Sequence, residues 1–100
     1  MISFGMAIRY CMNEGKRITR IGWNGADMWV CHIKASTASV ATLLEERGTP
    51  EYIIKLAEEL GGKLTFTAKF ALKDADNNIQ VGWAPSQADM CANDWIVLDD

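Results

Sequence analysis

The 100-residue chain predicts an α+β fold: an antiparallel β-sheet carrying an N-terminal helix, an inserted pair of helices and a short C-terminal helix. Three observations carry this reading. Leu64, Phe66, Ala68, Phe70 and Leu72 alternate with Lys63, Thr65, Thr67, Lys69 and Lys73, the period of a half-buried strand. Phe4, Ala7, Ile8, Cys11 and Met12 fall at helical spacing on one stripe. Near the C-terminus, Trp83-Ala84-Pro85-Ser86 stops a strand and starts a helix, because proline fixes its own φ and disfavours helix at the residue before it. The length fits one domain over residues 1–100.

In chain order, Ser3 caps the first helix and Gly15 ends it. Arg17 to Ile21 reads as a strand running into Gly22-Trp23-Asn24-Gly25, and Asn24-Gly25 is the signal for a two-residue type I′ hairpin. The returning strand, Met28 to Ile33, puts Trp29, Cys31 and Ile33 on one face and Met28, Val30 and His32 on the other, and either face can be the inner one. Ser39 precedes a helix over Val40 to Arg47, which Gly48 stops. Thr49-Pro50-Glu51 gives a second helix its N-cap, its N1 proline and an acidic first turn. Ile53, Leu56, Ala57 and Leu60 form that helix's apolar stripe, and Gly61-Gly62 ends it, so the helical insert spans about residues 39–62. The long alternating strand follows. Asp74 to Asn78 turns the chain, and Ile79, Val81 and Trp83 share one face of the strand that returns. Ser86 and Asp89 have capping-box spacing for a short helix, and Asp94 to Leu98 has strand composition.

Composition narrows the function. Hydrophobic residues at 49% and charged residues at 23% suit a globular protein, and no run approaches the ~18 apolar residues of a membrane span. The N-terminus lacks a basic, then long apolar, leader, so a cytoplasmic location is expected. A net charge of −3 argues against a long nucleic acid, whose binding needs many neutralised phosphates, but permits a small anion. Cys11, Cys31 and Cys91 lack metal or redox spacing and read as reduced thiols; no metal or cofactor is expected. Asp74, Asp76 and Asn78 imitate half a calcium loop, but Ile79 stands at the required glycine and Pro85 at the bidentate glutamate.

The catalytic inventory is thin. There is one histidine, His32, in strand text, and no recognised nucleophile, metal or phosphate-loop motif. Asp89 and Asp94 read first as capping and hydrogen-bonding residues. The four tryptophans are the richer signal. Trp23 and Trp83 each stand at a strand end, where a rim position is expected, and stacking of a base on tryptophan contributes about 1–3 kcal/mol. Lys16, Arg17 and Arg20 supply cations near Trp23 for phosphate contacts.

Together, the first helix with Phe4, Ala7 and Gly15-Lys16, the Gly22-Trp23-Asn24-Gly25 turn, and the run Trp83-x-Pro85-Ser86-Gln87-x-Asp89-Met90-x-Ala92-x-Asp94-Trp95 resemble the second Thoeris anti-defence family of small phage proteins. The resemblance covers roughly residues 3–33 and 64–98. Between them, the helices of 39–62 stand where the family has a shorter, proline-bearing segment. The resemblance implies a non-enzymatic protein that binds a cyclic ADP-ribose immune signal, or also cyclic dinucleotides, and holds it uncleaved. It further implies a homo-oligomer, a tetramer or dimer, acting in the host bacterial cytoplasm. Carried over, Trp23 stacks on a base, Asn24 and Gly25 meet polar edges in the turn, and Trp83, Ser86, Gln87 and Asp89 contribute from the C-terminal run. Two other classes stay open: an enzyme that cleaves a nucleotide signal with Asp89 or Asp94 as acid or base, and a protein-binding inhibitor that uses the inserted helices.

Overall fold

The computed structural model describes residues 1–23 and 27–99, which form two compact units, 1–33 with 69–99 and 34–68. The first unit is a five-stranded antiparallel sheet with helices. Helix α1, Phe4–Glu14, starts where the Ser3 side chain accepts from the Met6 N–H and ends at Gly15, whose φ of 66° is left-handed. Strands β1, Arg17–Arg20, and β2, Trp29–Ile33, pair antiparallel with Ile18 opposite Val30. Strands β5, Lys69–Lys73, and β6, Ile79–Val81, extend the sheet beyond β2, and β7, Trp95–Leu98, lies outside β1, giving the order β6-β5-β2-β1-β7. A short helix α4, Gln87–Cys91, precedes β7.

Buried Ala7 and Cys11 from α1 meet Ile18, Val30, Leu72 and Trp95 from the sheet in the core. Val30 thereby fixes the inner face of β2, and Trp29 lies on the opposite face with the Arg17 guanidinium 5.1 Å from its ring centroid. Burial raises the Cys11 thiol pKa to about 11, with proximity to Cys31 adding to the effect, so Cys11 behaves as a small core hydrophobe. Met12, placed on the core stripe by its spacing, is 46% exposed: the stripe is wider than the sheet it covers.

The second unit contains β3, Ser36–Ser39, paired antiparallel with β4, Lys63–Phe66, and two helices, α2, Val40–Glu45, and α3, Glu51–Glu59. Ser39 caps α2 through its hydroxyl, which accepts from the Thr42 N–H at 3.2 Å. Leu43 and Ala57 are its buried residues. Helix α3 ends in a Schellman motif, with Gly62 N–H donating to Ala57 C=O and Gly61 N–H to Glu58 C=O.

Five expectations change. First, the single strand over 63–73 is two strands in two sheets: β4 pairs with β3, and β5 with β2. Their alternation stays in phase across Thr67-Ala68, so sequence alone shows no break. Second, β3 has no counterpart in the sequence reading, because Ser36-Thr37-Ala38-Ser39 has no apolar alternation to reveal it. Third, Trp83 does not share a face with Ile79 and Val81. Gly82, at φ 91°, and Trp83 both donate their N–H to Phe70 C=O, a bulge that turns Trp83 toward the core while Ile79 and Val81 stay exposed. Fourth, Pro50 rather than Thr49 occupies the N-cap of α3, and Thr49 Oγ1 donates instead to Glu46 C=O at 3.4 Å. Fifth, β1 stops at Arg20 and β2 resumes at Trp29, with one 3₁₀ turn over Ile21–Trp23, so the connection is longer than a two-residue hairpin. Asn24 and Gly25 themselves lie outside the described residues.

Candidate functional site

The C-terminal run builds a polar hub on top of the buried Trp95. Ser86 Oγ accepts from the Asp89 N–H and Asp89 Oδ2 accepts from the Ser86 N–H, both at 3.0 Å, completing the capping box that their spacing predicts. The same geometry holds Asp89 at 8% exposure, where its Oδ1 accepts from Arg20 Nη1 at 2.8 Å and from Trp23 Nε1 at 3.3 Å. Burial alone would raise the pKa of Asp89. The hydrogen bonds from Ser86 and Arg20 outweigh it and hold the carboxyl below its ordinary value.

Arg20 reaches this hub because β1 pairs with β7 in a register that sets it opposite Trp95. Its Nε donates to Asp94 Oδ1 at 2.8 Å, so the guanidinium bridges two carboxylates and its own pKa is raised, first by Asp94 and then by Asp89. Asp94 Oδ2 also accepts the Gly22 N–H at 2.7 Å, and a hydrogen bond from Arg20 is the main cause of its lowered pKa. A Cβ at Gly22 would stand 2.8 Å from Asp94 Oδ2 and 2.9 Å from Arg20 Nη2, so a larger residue there must displace one of these paired side chains. The hub therefore ties the 3₁₀ turn that carries Trp23 to the C-terminal helix start.

Three aromatic rings surround Trp95. Phe4 lies at 5.5 Å, Trp23 at 5.3 Å edge-on and Trp83 at 6.5 Å edge-on between centroids. Trp95 is fully buried, and its Nε1 donates to Asp89 C=O at 3.0 Å; it is a fold residue. Trp23 and Trp83 are half-buried and flank it. Trp23 also lines an open cleft of about 420 Å³, whose other walls are Thr19, Arg20, Ile21, Asp27, Met28, Ile96 and Leu98. That volume falls in the ~300–1,000 Å³ range of small-molecule sites. The limb at Asp27 and Met28 is pinned twice: Lys73 Nζ donates to Asp27 C=O at 2.6 Å, and Thr19 Oγ1 to Met28 C=O at 2.6 Å.

The structure thus gathers Trp23, Arg20, Ser86 and Asp89 into one network and sets Trp83 edge-on beside Trp95. Gln87 opens α4 and is exposed. Arg17 is not gathered: it lies on the opposite face of the sheet from Arg20, stacked on Trp29. Asn24 and Gly25 fall outside the described residues. Sequence reasoning missed the Arg20–Asp94 pair, the Gly22 contact, the Lys73 and Thr19 pins, and the cleft walls Ile96 and Leu98. The available signal was Gly22, a glycine that no turn type demanded. Among the described residues, no group of three or more His, Cys, Asp or Glu side chains is arranged to hold a metal ion, and no helix is long and apolar enough to cross a membrane.

Comparison with known proteins places this arrangement. The Thoeris anti-defense 2-like domain matches residues 2–98. A protein of Bacillus phage SP01 named Thoeris anti-defense 2 is 35% identical over 97 residues, covering 97% of this chain and 94% of the relative. Matching the family from the first helix through the aromatic hub to the last strand, the chain belongs to the Thoeris anti-defense 2-like family.

Proposed function

We propose that this protein is a phage anti-defence protein that binds a cyclic nucleotide immune signal, a cyclic ADP-ribose isomer or a cyclic dinucleotide, and holds it uncleaved in the host cytoplasm, so that the Thoeris effector is not activated. Family membership supports the anti-defence role. The observation that carries the binding mode is Trp23: its ring lines the 420 Å³ cleft while its indole N–H is anchored on Asp89. An anchored aromatic ring is a preorganised stacking platform, which lowers the entropic cost of capturing a base. Trp23 stacks on the ligand, and Asn24 and Gly25, which follow it in sequence, meet the ligand's polar edges. Gln87 and the rim of Trp83 contribute from the C-terminal run, while Ser86 and Asp89 act chiefly by holding Trp23 and α4 in place. Arg20 lends positive potential at the cleft wall, tempered by its two carboxylates. The domain works as a homo-oligomer.

The same geometry speaks against a cleaving enzyme. Asp89 and Asp94, the carboxylates such a mechanism would use, both accept from Arg20 and both have lowered pKa values, so at neutral pH each is a weak base and a negligible acid.

The test is capture and release. Purified protein is incubated with cyclic ADP-ribose isomers and cyclic dinucleotides, freed of unbound ligand and heat-denatured, and the supernatant is analysed by mass spectrometry. Recovery of one intact ligand near one equivalent per site is expected. A cleaved product would assign the protein to the enzymes, and no capture of any compound would move the function to a protein-binding inhibitor.

A further inference from the structure

We propose that Lys73 is a positioning residue for ligand capture: its ammonium group, outside the cleft, holds the backbone of Asp27 and so fixes the far end of the stretch that begins with Trp23, Asn24 and Gly25. The proposal rests on the reading of the Trp23 cleft as the ligand site.

Strand β5 sends Lys69, Ala71 and Lys73 to the face away from the core, since Leu72, opposite Val30, takes the inner one. A lysine in such a place normally lays its stem on the sheet and keeps its ammonium in water. Lys73 is instead only 8% exposed. An ammonium withdrawn from water is costly unless it is hydrogen-bonded, and the bond it makes here is short. Its Nζ donates to Asp27 C=O at 2.6 Å, with Asp27 Oδ2 farther off at 3.3 Å. Register explains the reach: β5 sets Lys73 opposite Trp29, two residues after Asp27, so the stem runs back toward the start of β2. The neighbouring Asp74 is engaged elsewhere. Its carboxylate accepts from the Asp76 and Asn78 N–H groups and from Gln80 Nε2 in its own turn.

What the bond holds is a strained point in the backbone. Asp27 has a φ of 55°, the left-handed region that residues other than glycine rarely adopt. Such a conformation persists where surrounding contacts over-determine it. Here a nearly buried ammonium grips the carbonyl, while the Asp27 side chain is 90% exposed. Lys73 therefore fixes the backbone of Asp27 more than its carboxylate. Asp27 and Met28 are walls of the cleft, as Trp23 is, and Lys73 is not. Residues 24–26 alone separate Trp23 from Asp27. The near end of this stretch is tied by Asp94 to the Gly22 N–H and by Asp89 to Trp23 Nε1, and Lys73 ties the far end. A segment tethered at both ends loses less freedom when a ligand binds, so the tether raises affinity without touching the ligand.

The test uses the full chain with two substitutions: Lys73→Met, which keeps an unbranched stem and removes the ammonium, and Lys73→Arg, which keeps a cationic donor. The probe is the cyclic ADP-ribose isomer or cyclic dinucleotide that the wild type retains in the capture assay, with affinity read by calorimetry and dissociation by stopped flow. Lys73→Met weakens binding by about tenfold, mainly through faster dissociation, while Tm moves by less than ~4 °C. Lys73→Arg recovers most of the affinity. With no probe present, hydrogen exchange of residues 27–30 becomes about tenfold faster in Lys73→Met, and helix α1 is unchanged. Three results overturn the proposal: wild-type affinity in Lys73→Met, unchanged exchange at residues 27–30, or a loss of affinity that follows a general fall in Tm and is not recovered by Lys73→Arg. A wild type that captures no compound refutes the ligand reading of the cleft, and with it the role of Lys73 in capture. The exchange measurement then shows separately whether the tether itself holds, so the two failures are told apart.

Discussion

Replacing Asp89 by alanine should damage the fold far more than a substitution on a five-residue surface helix ordinarily would. The carboxylate closes the capping box of α4, and loss of such a cap costs about 1 kcal/mol. It also accepts a charge-assisted bond from Arg20 Nη1 at 2.8 Å, worth roughly 1.5–3 kcal/mol. The second figure is reduced because Asp94 still pairs with Arg20, whose side chain keeps 16% of its exposure. The indole N–H of Trp23 loses its acceptor at the same time. Together these give about 2–4 kcal/mol, a large share of the ~5–15 kcal/mol that holds a small domain folded. For a domain of this size, ~2 kcal/mol lowers Tm by roughly 8–16 °C. Thermal and urea unfolding followed by tryptophan fluorescence measures the effect directly. Asp89→Asn, which retains an acceptor oxygen for either Ser86 or Arg20 but not both, should fall about midway. A Tm drop below ~3 °C for Asp89→Ala would refute the claim that this carboxylate is a structural hub. If Asp89→Asn kept full stability yet abolished turnover of a nucleotide, Asp89 would be a proton-transfer group and the non-catalytic reading would fail.

The two neighbouring tryptophans should separate binding from stability. Trp23→Ala weakens ligand capture by about 1–3 kcal/mol, measured by calorimetry, with a smaller effect on folding, whereas Trp95→Ala costs about 3–5 kcal/mol of stability because its ring is fully buried. Stability should also fall in acid. Asp89 and Asp94 have folded-state pKa values below their ordinary 3.8, so their contribution is present above that pH and is lost as the pH drops through the lower folded values. Urea midpoints taken between pH 6 and pH 2.5 should show this fall, and Asp89→Asn should flatten it. Gly22→Ala drives a methyl group against Asp94 Oδ2 and Arg20 Nη2, so it should lower Tm and loosen the turn carrying Trp23. A variant with wild-type Tm and wild-type ligand capture would show that the close approach there is tolerated.

Sequence determined the local punctuation and the type of fold. Ser3, Gly15, Ser39, Ser86 and Asp89 set helix ends through bonds within a few residues of themselves, which is why they were legible without any partner. The strand-end positions of Trp23 and Trp83 marked two of the rings that the structure sets around Trp95. Tertiary structure decided whatever depends on residues distant in sequence. The split of 63–73 into β4 and β5 depends on which partner strand each half finds, and an in-phase alternation carries no mark of it. The turning of Trp83 toward the core rests on a bulge in which two N–H groups share the Phe70 carbonyl. The hub joins Arg20 to Asp89 and Asp94 across about three-quarters of the chain, through the β1–β7 register. Local signals mark where elements begin and end. Only packing brings a cation in β1 against two carboxylates near the C-terminus, because that contact exists only once the sheet has formed.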